Sequence, residues 1–219
     1  MNENTAIDSV REIRRLDVET PLGVVHLAGF VQKPDHRSVI FGILSEYCGT
    51  PVTAADLVES KEDARPRFPK LDFDVNWTHS DSYCVCAFGE RGSLNGLCIG
   101  VDLEKYSPKR LHLAERFFCA DEAAFIKALV ESDGAAANTR AEAEFFRLWC
   151  RKEAFYKCVG GDFFEGTLRR DMQKNPVQVD APDSRKVYFV DLDGAAIGAP
   201  NPAALCVAVS SAGPVRRLR

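Results

Sequence analysis

Apolar and polar positions change period along this chain, and each period predicts an element. Residues 22 to 31, Leu-Gly-Val-Val-His-Leu-Ala-Gly-Phe-Val, are rich in β-branched and aliphatic types and predict a strand. Pro34-Asp35 opens a helix from His36 to Tyr47, where Val39, Ile40, Ile43, Leu44 and Tyr47 recur at helical spacing and Gly49 with Pro51 ends the run. Thr50 to Asp74 is Pro-rich and charged and reads as a loop. Apolar runs at Leu71 to Trp77 and Tyr83 to Phe88 predict strands joined through Thr78-His79-Ser80-Asp81-Ser82. After a turn signal at Gly89 to Gly96, a further strand begins at Leu97.

Helical periods dominate next. Pro108 begins this half, with Leu111, Leu113, Ala114, Phe117 and Phe118 as an apolar face. Asp121 is the predicted N-cap of a helix from Glu122 to Val130, stopped by Asp133-Gly134. A small-residue loop, Ala135 to Thr139, leads to the longest helical pattern, Arg140 to Val159, closed by Gly160-Gly161. Val187 to Leu192 and Ala204 to Ser210 predict strands, Gly194 to Pro202 a turn-rich link, and Val215 to Arg219 a frayed tail. Strands and helices mix without strict alternation, so the expected class is α+β with helices over mostly antiparallel sheets.

Composition narrows the classes. With 219 residues, 46% hydrophobic and 27% charged, the chain can build one substantial core or two small lobes. A net charge of −4 argues against a nucleic-acid partner held by a basic surface. The 8 cysteines form no CxxC pair, which predicts reduced, buried thiols and a cytoplasmic protein; Cys84 and Cys86 share a strand face. Met1 to Asp8 lacks the basic-then-apolar order of a signal peptide, and no apolar run approaches the roughly 18 residues of a membrane span.

Candidate chemistry gathers on Gly100-Val101-Asp102-Leu103-Glu104-Lys105. On a strand, Asp102 and Glu104 leave one face while Val101 and Leu103 enter a core, so two carboxylates approach one hard cation. The same alternation describes a half-buried strand with a solvated face. Arg37 lies in the first turn of its helix, Arg65-Pro66-Arg67-Phe68-Pro69-Lys70 is a cationic loop, and the 78 to 82 connector offers hydroxyls and an imidazole that suit a turn or phosphate oxygens. On the wheel of the long helix, Phe145, Leu148, Trp149, Phe155 and Val159 form the buried stripe, with Arg147 and Arg151 opposite, toward solvent. Trp149, Glu153 and Lys157 make one ridge, which by itself is an ordinary Glu-to-Lys pairing.

Two of these patterns occur together. Gly100-Val101-Asp102-Leu103-Glu104 is followed downstream by Trp149-Cys150-Arg151-Lys152-Glu153-Ala154-Phe155-Tyr156-Lys157. In this the chain resembles the Sfp-type 4′-phosphopantetheinyl transferases, whose pattern is Gly-Ile/Val-Asp-x-Glu and then Trp-x-x-Lys-Glu-Ala/Ser-x-x-Lys. Asn76-Trp77-Thr78-His79-Ser80 is similar to the family's Asn-x-Ser-His-Ser, Arg65-Pro66 to its Lys-Pro, and Arg116-Phe117-Phe118 with Asp121-Glu122 to its linking segment. His36-Arg37 matches a further basic site. Thr78 departs from the family's serine and Arg65 from its lysine, which changes donor geometry.

The resemblance implies two similar α/β lobes in a pseudo-twofold arrangement, residues 1–105 and 106–219, with the active site in the cleft between them. It implies Mg-dependent transfer of 4′-phosphopantetheine from coenzyme A to a serine of an acyl or peptidyl carrier protein, releasing adenosine 3′,5′-bisphosphate. Carried over residue by residue, Asp102, Glu104 and Glu153 hold magnesium, and Asp102, Glu153 and Lys157 are catalytic. Lys157 stands at the pyrophosphate. Thr78 and His79 contact phosphate oxygens, Lys152 joins the coenzyme-binding set, Arg65 takes the nucleotide end and Arg37 the 3′-phosphate. The base is open between Glu153 and a water on the metal. The expected state is a monomer, with no membrane and no nucleic acid as partner. Alternatives are a Mg-dependent nucleotide pyrophosphate hydrolase and a non-catalytic carrier-protein-binding module.

Overall fold

Period-two alternation in the N-terminal half produces β1 (Arg14–Thr20) and β2 (Gly23–Val31), paired antiparallel across a tight turn at Gly23, whose φ of 126° suits a residue without a Cβ. A computed structural model describes residues 13–32, 34–59, 65–91, 97–107, 110–132, 135–180 and 184–211. Helix α1 (His36–Cys48) follows, capped by Asp35, whose carboxylate accepts the Ser38 N–H, and ended by Gly49 in the left-handed region. Short strands β3 (Val58–Glu59) and β4 (Pro66–Arg67) pair within the loop. Strands β5 (Phe73–Ser80) and β6 (Tyr83–Glu90) complete a sheet of order β1-β2-β6-β5.

The second sheet has order β7-β10-β9-β8, built from β7 (Leu97–Lys105), β8 (Val177–Gln178), β9 (Lys186–Asp193) and β10 (Ala203–Ser211). Between β7 and β8 run α2 (Leu113–Phe117), α3 (Ala120–Glu131) and α4 (Ala135–Val159). The class is α+β with antiparallel sheets, as expected. Strand β7 exchanges its backbone hydrogen bonds with β10 and so forms an edge of the second sheet.

Three apolar clusters explain the layering. Val25, Leu27 and Val85 of the first sheet meet Ile99, Val101, Leu205 and Val207 of the second, so the sheets bury these faces against each other. Helix α1 covers the outer face of the first sheet through Ile40, Ile43 and Leu44. Helices α2 to α4 cover the second, with Phe145, Phe146 and Leu148 fully buried, each side chain contributing roughly 1.5–3 kcal/mol.

Several boundaries differ from the expectation. Thr78, His79 and Ser80 belong to β5, so the connector shrinks to Asp81-Ser82, with Asp81 at φ 56°. Residues 135–139 are helical, because an alanine-rich stretch favours the helix it adjoins. Asp121 lies inside the first turn of α3 and Cys119 is the N-cap residue. Residues 92–96 of the expected turn, Pro108, the Asp133-Gly134 stop, the Met1 to Asp8 terminus and the tail Val215 to Arg219 lie outside the described residues. No helix among the described residues is long and apolar enough to cross a membrane. The cysteines are all free thiols, with Cys84 and Cys86 buried and the Cys84 thiol pushed up to about 12 by burial.

Candidate active site

A strand of alternating polar and apolar residues builds one wall. On β5, the side chains at 74, 76, 78 and 80 face β7, the edge strand of the other sheet. Asp74 accepts the Ile99 N–H at 2.6 Å, Asn76 the Val101 N–H at 3.2 Å and Ser80 the Lys105 N–H at 3.0 Å. Backbone donors that β10 does not use are thereby satisfied by side chains of the first sheet, each neutral bond contributing about 1 kcal/mol. Between these ties, the Thr78 hydroxyl donates to Asp102 Oδ1 at 3.0 Å.

Gly100 builds the second wall. A Cβ on Gly100 would overlap the Ala154 carbonyl oxygen and come within 2.7 Å of the Cys158 N, both helix backbone atoms. Only glycine lets α4 lie this close to β7. The face of β7 that carries Gly100 also carries Asp102 and Glu104, and the closest approach on α4, at Ala154 and Cys158, brings Glu153 and Lys157 to those carboxylates.

Lys157 is the hub of the cluster. Its Nζ lies 2.7 Å from Asp102 Oδ1, 3.1 Å from the Val101 carbonyl and 3.2 Å from Thr78 Oγ1. Burial works against the ammonium, but Asp102 overrides it and holds the Lys157 pKa above its ordinary value. Asp102 is 4% exposed, and its Oδ2 is buried with no hydrogen-bond partner. Burial and the charge of Asp102 raise Glu153 to about 7. Burial and Asp102 also raise Glu104, against the opposing pull of Arg110, whose Nη1 is 3.1 Å from Glu104 Oε2. The sequence reading missed Arg110, which lies beyond the motif.

The donor set tests whether a divalent cation fits. Three carboxylates, of which Asp102 raises the pKa of both Glu104 and Glu153 and itself has a buried, unpartnered oxygen, suit a hard cation. Among the described residues, the trio whose ligand atoms lie within 4.8 Å of one another is instead Cys119, Glu122 and Asp171. That cluster already has its cation: Lys152 Nζ is 2.6 Å from Glu122 Oε2, an ion pair out of hydrogen-bond alignment, while the same ammonium donates to the carbonyls of Leu168 and Arg170.

The remaining expected residues fall elsewhere. Lys152 is fully buried in that pair and not in the acidic site, because Glu122, two carbonyls and the Phe118 ring enclose it on the far side of α4. Arg151 does not face solvent: Asp191 and the Met172 carbonyl bind it, since the 172–174 segment wraps the helix where a single wheel shows only a polar face. Arg65 is drawn into the protein by Asp74 and by the carbonyls of Lys157, Cys158 and Ile99. Arg37 is exposed and forked onto Glu59. His79 points to the exposed side of β5, away from Thr78.

Residues 98–201, which contain β7 from Cys98 onward, α4, β8 and β9, match the model of the 4′-phosphopantetheinyl transferase superfamily. The chain is 32% identical over 145 residues to 4′-phosphopantetheinyl transferase Sfp of Bacillus subtilis (strain 168), covering 60% of this chain and 57% of that protein. It is 33% identical over 105 residues to 4′-phosphopantetheinyl transferase psf-1 of Bacillus pumilus, covering 48% and 40%. It is 30% identical over 135 residues to 4′-phosphopantetheinyl transferase gsp of Aneurinibacillus migulanus, covering 55% and 52%. The chain thus spans about half the length of the curated relatives it matches. Every residue of the Asp102, Glu104, Glu153 and Lys157 cluster lies inside the matched segment.

Proposed function

We propose that this protein transfers the 4′-phosphopantetheine of coenzyme A to a serine hydroxyl of an acyl or peptidyl carrier protein. The observation that carries this reading is the Lys157 ammonium on Asp102 and Thr78, beside a carboxylate of raised pKa, within a segment of transferase sequence. In the reaction a serine oxygen forms a bond to the phosphorus that bears pantetheine. The bond from that phosphorus to the bridging oxygen breaks, and adenosine 3′,5′-bisphosphate leaves.

Such chemistry depends on positioning and charge neutralisation more than on covalent help. Glu153 is the proposed acceptor of the serine proton; its pKa of about 7 belongs to the metal-free site, and a cation beside it would lower that value. Lys157 stays charged and faces the negative charge that develops on the leaving phosphate. Thr78 accepts from Lys157 and donates to Asp102, which keeps the ammonium aimed. Asp102, Glu104 and Glu153 would hold magnesium, which when bound supplies charge neutralisation at the pyrophosphate oxygens. His79, exposed beside this wall, and Arg37, at the start of α1, are the proposed outer contacts for coenzyme phosphates.

The test is release of adenosine 3′,5′-bisphosphate from coenzyme A with magnesium, measured with and without an apo carrier protein. Release that requires the carrier supports transfer. Release without it assigns a pyrophosphate hydrolase, and no release in either assigns a binding module.

A further inference from the structure

We infer that Arg65 is a positioning residue that fixes Lys157, rather than a contact for the nucleotide; the inference rests on the transferase reading above. The Arg65 side chain is 12% exposed, and its bonds run to three separate elements. Nη1 donates to the carbonyls of Lys157 and Cys158, the latter at 3.0 Å. Nη2 donates to the Asp74 carboxylate and to the Ile99 carbonyl, the latter at 3.1 Å. Two terminal nitrogens carry four N–H bonds, and four protein acceptors meet them.

Each acceptor has a reason to need that donor. Carbonyls in the last turn of a helix lack intrahelical partners, and α4 ends at Val159, so Lys157 and Cys158 present orphan oxygens. Asp74 is buried and also accepts the Ile99 N–H, so one carboxylate neutralises Arg65 and ties the β7 backbone three positions before Asp102. Lys157 is consequently held at both ends, its carbonyl by Arg65 and its ammonium by Asp102 and Thr78. Arg65 therefore links the strand and the helix that carry the reactive groups. A planar fork can reach four acceptors at once; a lysine ammonium keeps the charge but is a point donor.

Arg65→Lys in the full chain separates the readings. Three quantities decide it: kcat and KM for coenzyme A in transfer, the Kd of coenzyme A by calorimetry, and amide exchange in the last turn of α4. Positioning predicts a kcat loss of about tenfold or more, because small displacements of reactive groups are costly, with KM and Kd within about twofold and faster exchange at the end of α4. Asp74→Asn, at a residue 4% exposed, should give a smaller loss of the same kind. It also decides the matter if Arg65→Lys does not fold. Weaker coenzyme binding with unchanged kcat would overturn the inference. So would faster exchange without a kcat loss, which reduces Arg65 to a helix cap. If the unsubstituted protein makes no transfer, the transferase reading fails by itself; unchanged α4 exchange in Arg65→Lys would still refute the tie.

Discussion

Lys157 Nζ lies 2.7 Å from Asp102 Oδ1, joining the last turns of α4 to the middle of β7. The pair is asymmetric. Asp102 is buried with one oxygen unpartnered, while the lysine side chain is 25% exposed. An ammonium that is anchored by its partner and still partly exposed can meet a ligand's phosphate without leaving its place.

Removing that ammonium should damage turnover more than affinity. Lys157→Ala is expected to lower kcat by about a hundredfold or more, with KM for coenzyme A little changed, since the interaction is made mainly in the transition state. A defect confined to KM would contradict the assignment. Asp102→Ala should abolish transfer while circular dichroism remains native; near-normal turnover in saturating magnesium would refute Asp102 as a ligand.

Glu153 gives the apo protein a pH-dependent stability. Its folded pKa of about 7 exceeds the ordinary 4.5, so between these values the folded chain binds more protons at this site than the unfolded chain. Stability from this group is full below 4.5 and falls as pH rises toward 7, by up to about 1.4 kcal/mol per pH unit. Urea unfolding at several pH values should show a flatter dependence for Glu153→Gln; identical slopes would contradict the raised pKa.

The Lys152–Glu122 pair predicts a structural effect. Lys152→Met leaves a fully buried carboxylate without its cation and should cost about 3–5 kcal/mol in chemical denaturation. Adding Glu122→Gln removes the orphaned charge and keeps an acceptor for the Met172 N–H, so the double variant should recover about half of that loss. A direct coenzyme contact by Lys152 would instead appear as weaker coenzyme binding at unchanged stability.

Gly100→Ala tests the close contact of β7 and α4. The new methyl meets helix backbone, which cannot rotate away, so a loss of about 1–3 kcal/mol is expected. Transfer should fall further than the unfolded fraction accounts for, because α4 carries Glu153 and Lys157 away from Asp102. Full activity per folded molecule would show that the spacing is not critical.

Much of this arrangement was legible in the chain. The alternation over 101–104 correctly assigns Val101 and Leu103 to the core and the carboxylates to the opposite face, and the resemblance brings Glu153 and Lys157 to them. The role of β5 was visible as Asp74, Asn76, Thr78 and Ser80 at every second position, but assigning Thr78 to Ser82 to a connector cut that period short. Arg151, Lys152 and Arg65 were beyond reach for a different reason. Their partners, Asp191, Glu122 and the α4 carbonyls, are distant in sequence, and a helical wheel carries no record of what packs against it.

The most direct test is the intact mass of an apo carrier protein after incubation with coenzyme A, magnesium and either this protein or its Glu153→Gln variant. Gain of one phosphopantetheine by the carrier serine with the unsubstituted protein, and a rate lower by about a hundredfold or more with the variant, is the predicted result. A carrier of unchanged mass, or equal rates for the two proteins, would contradict the account.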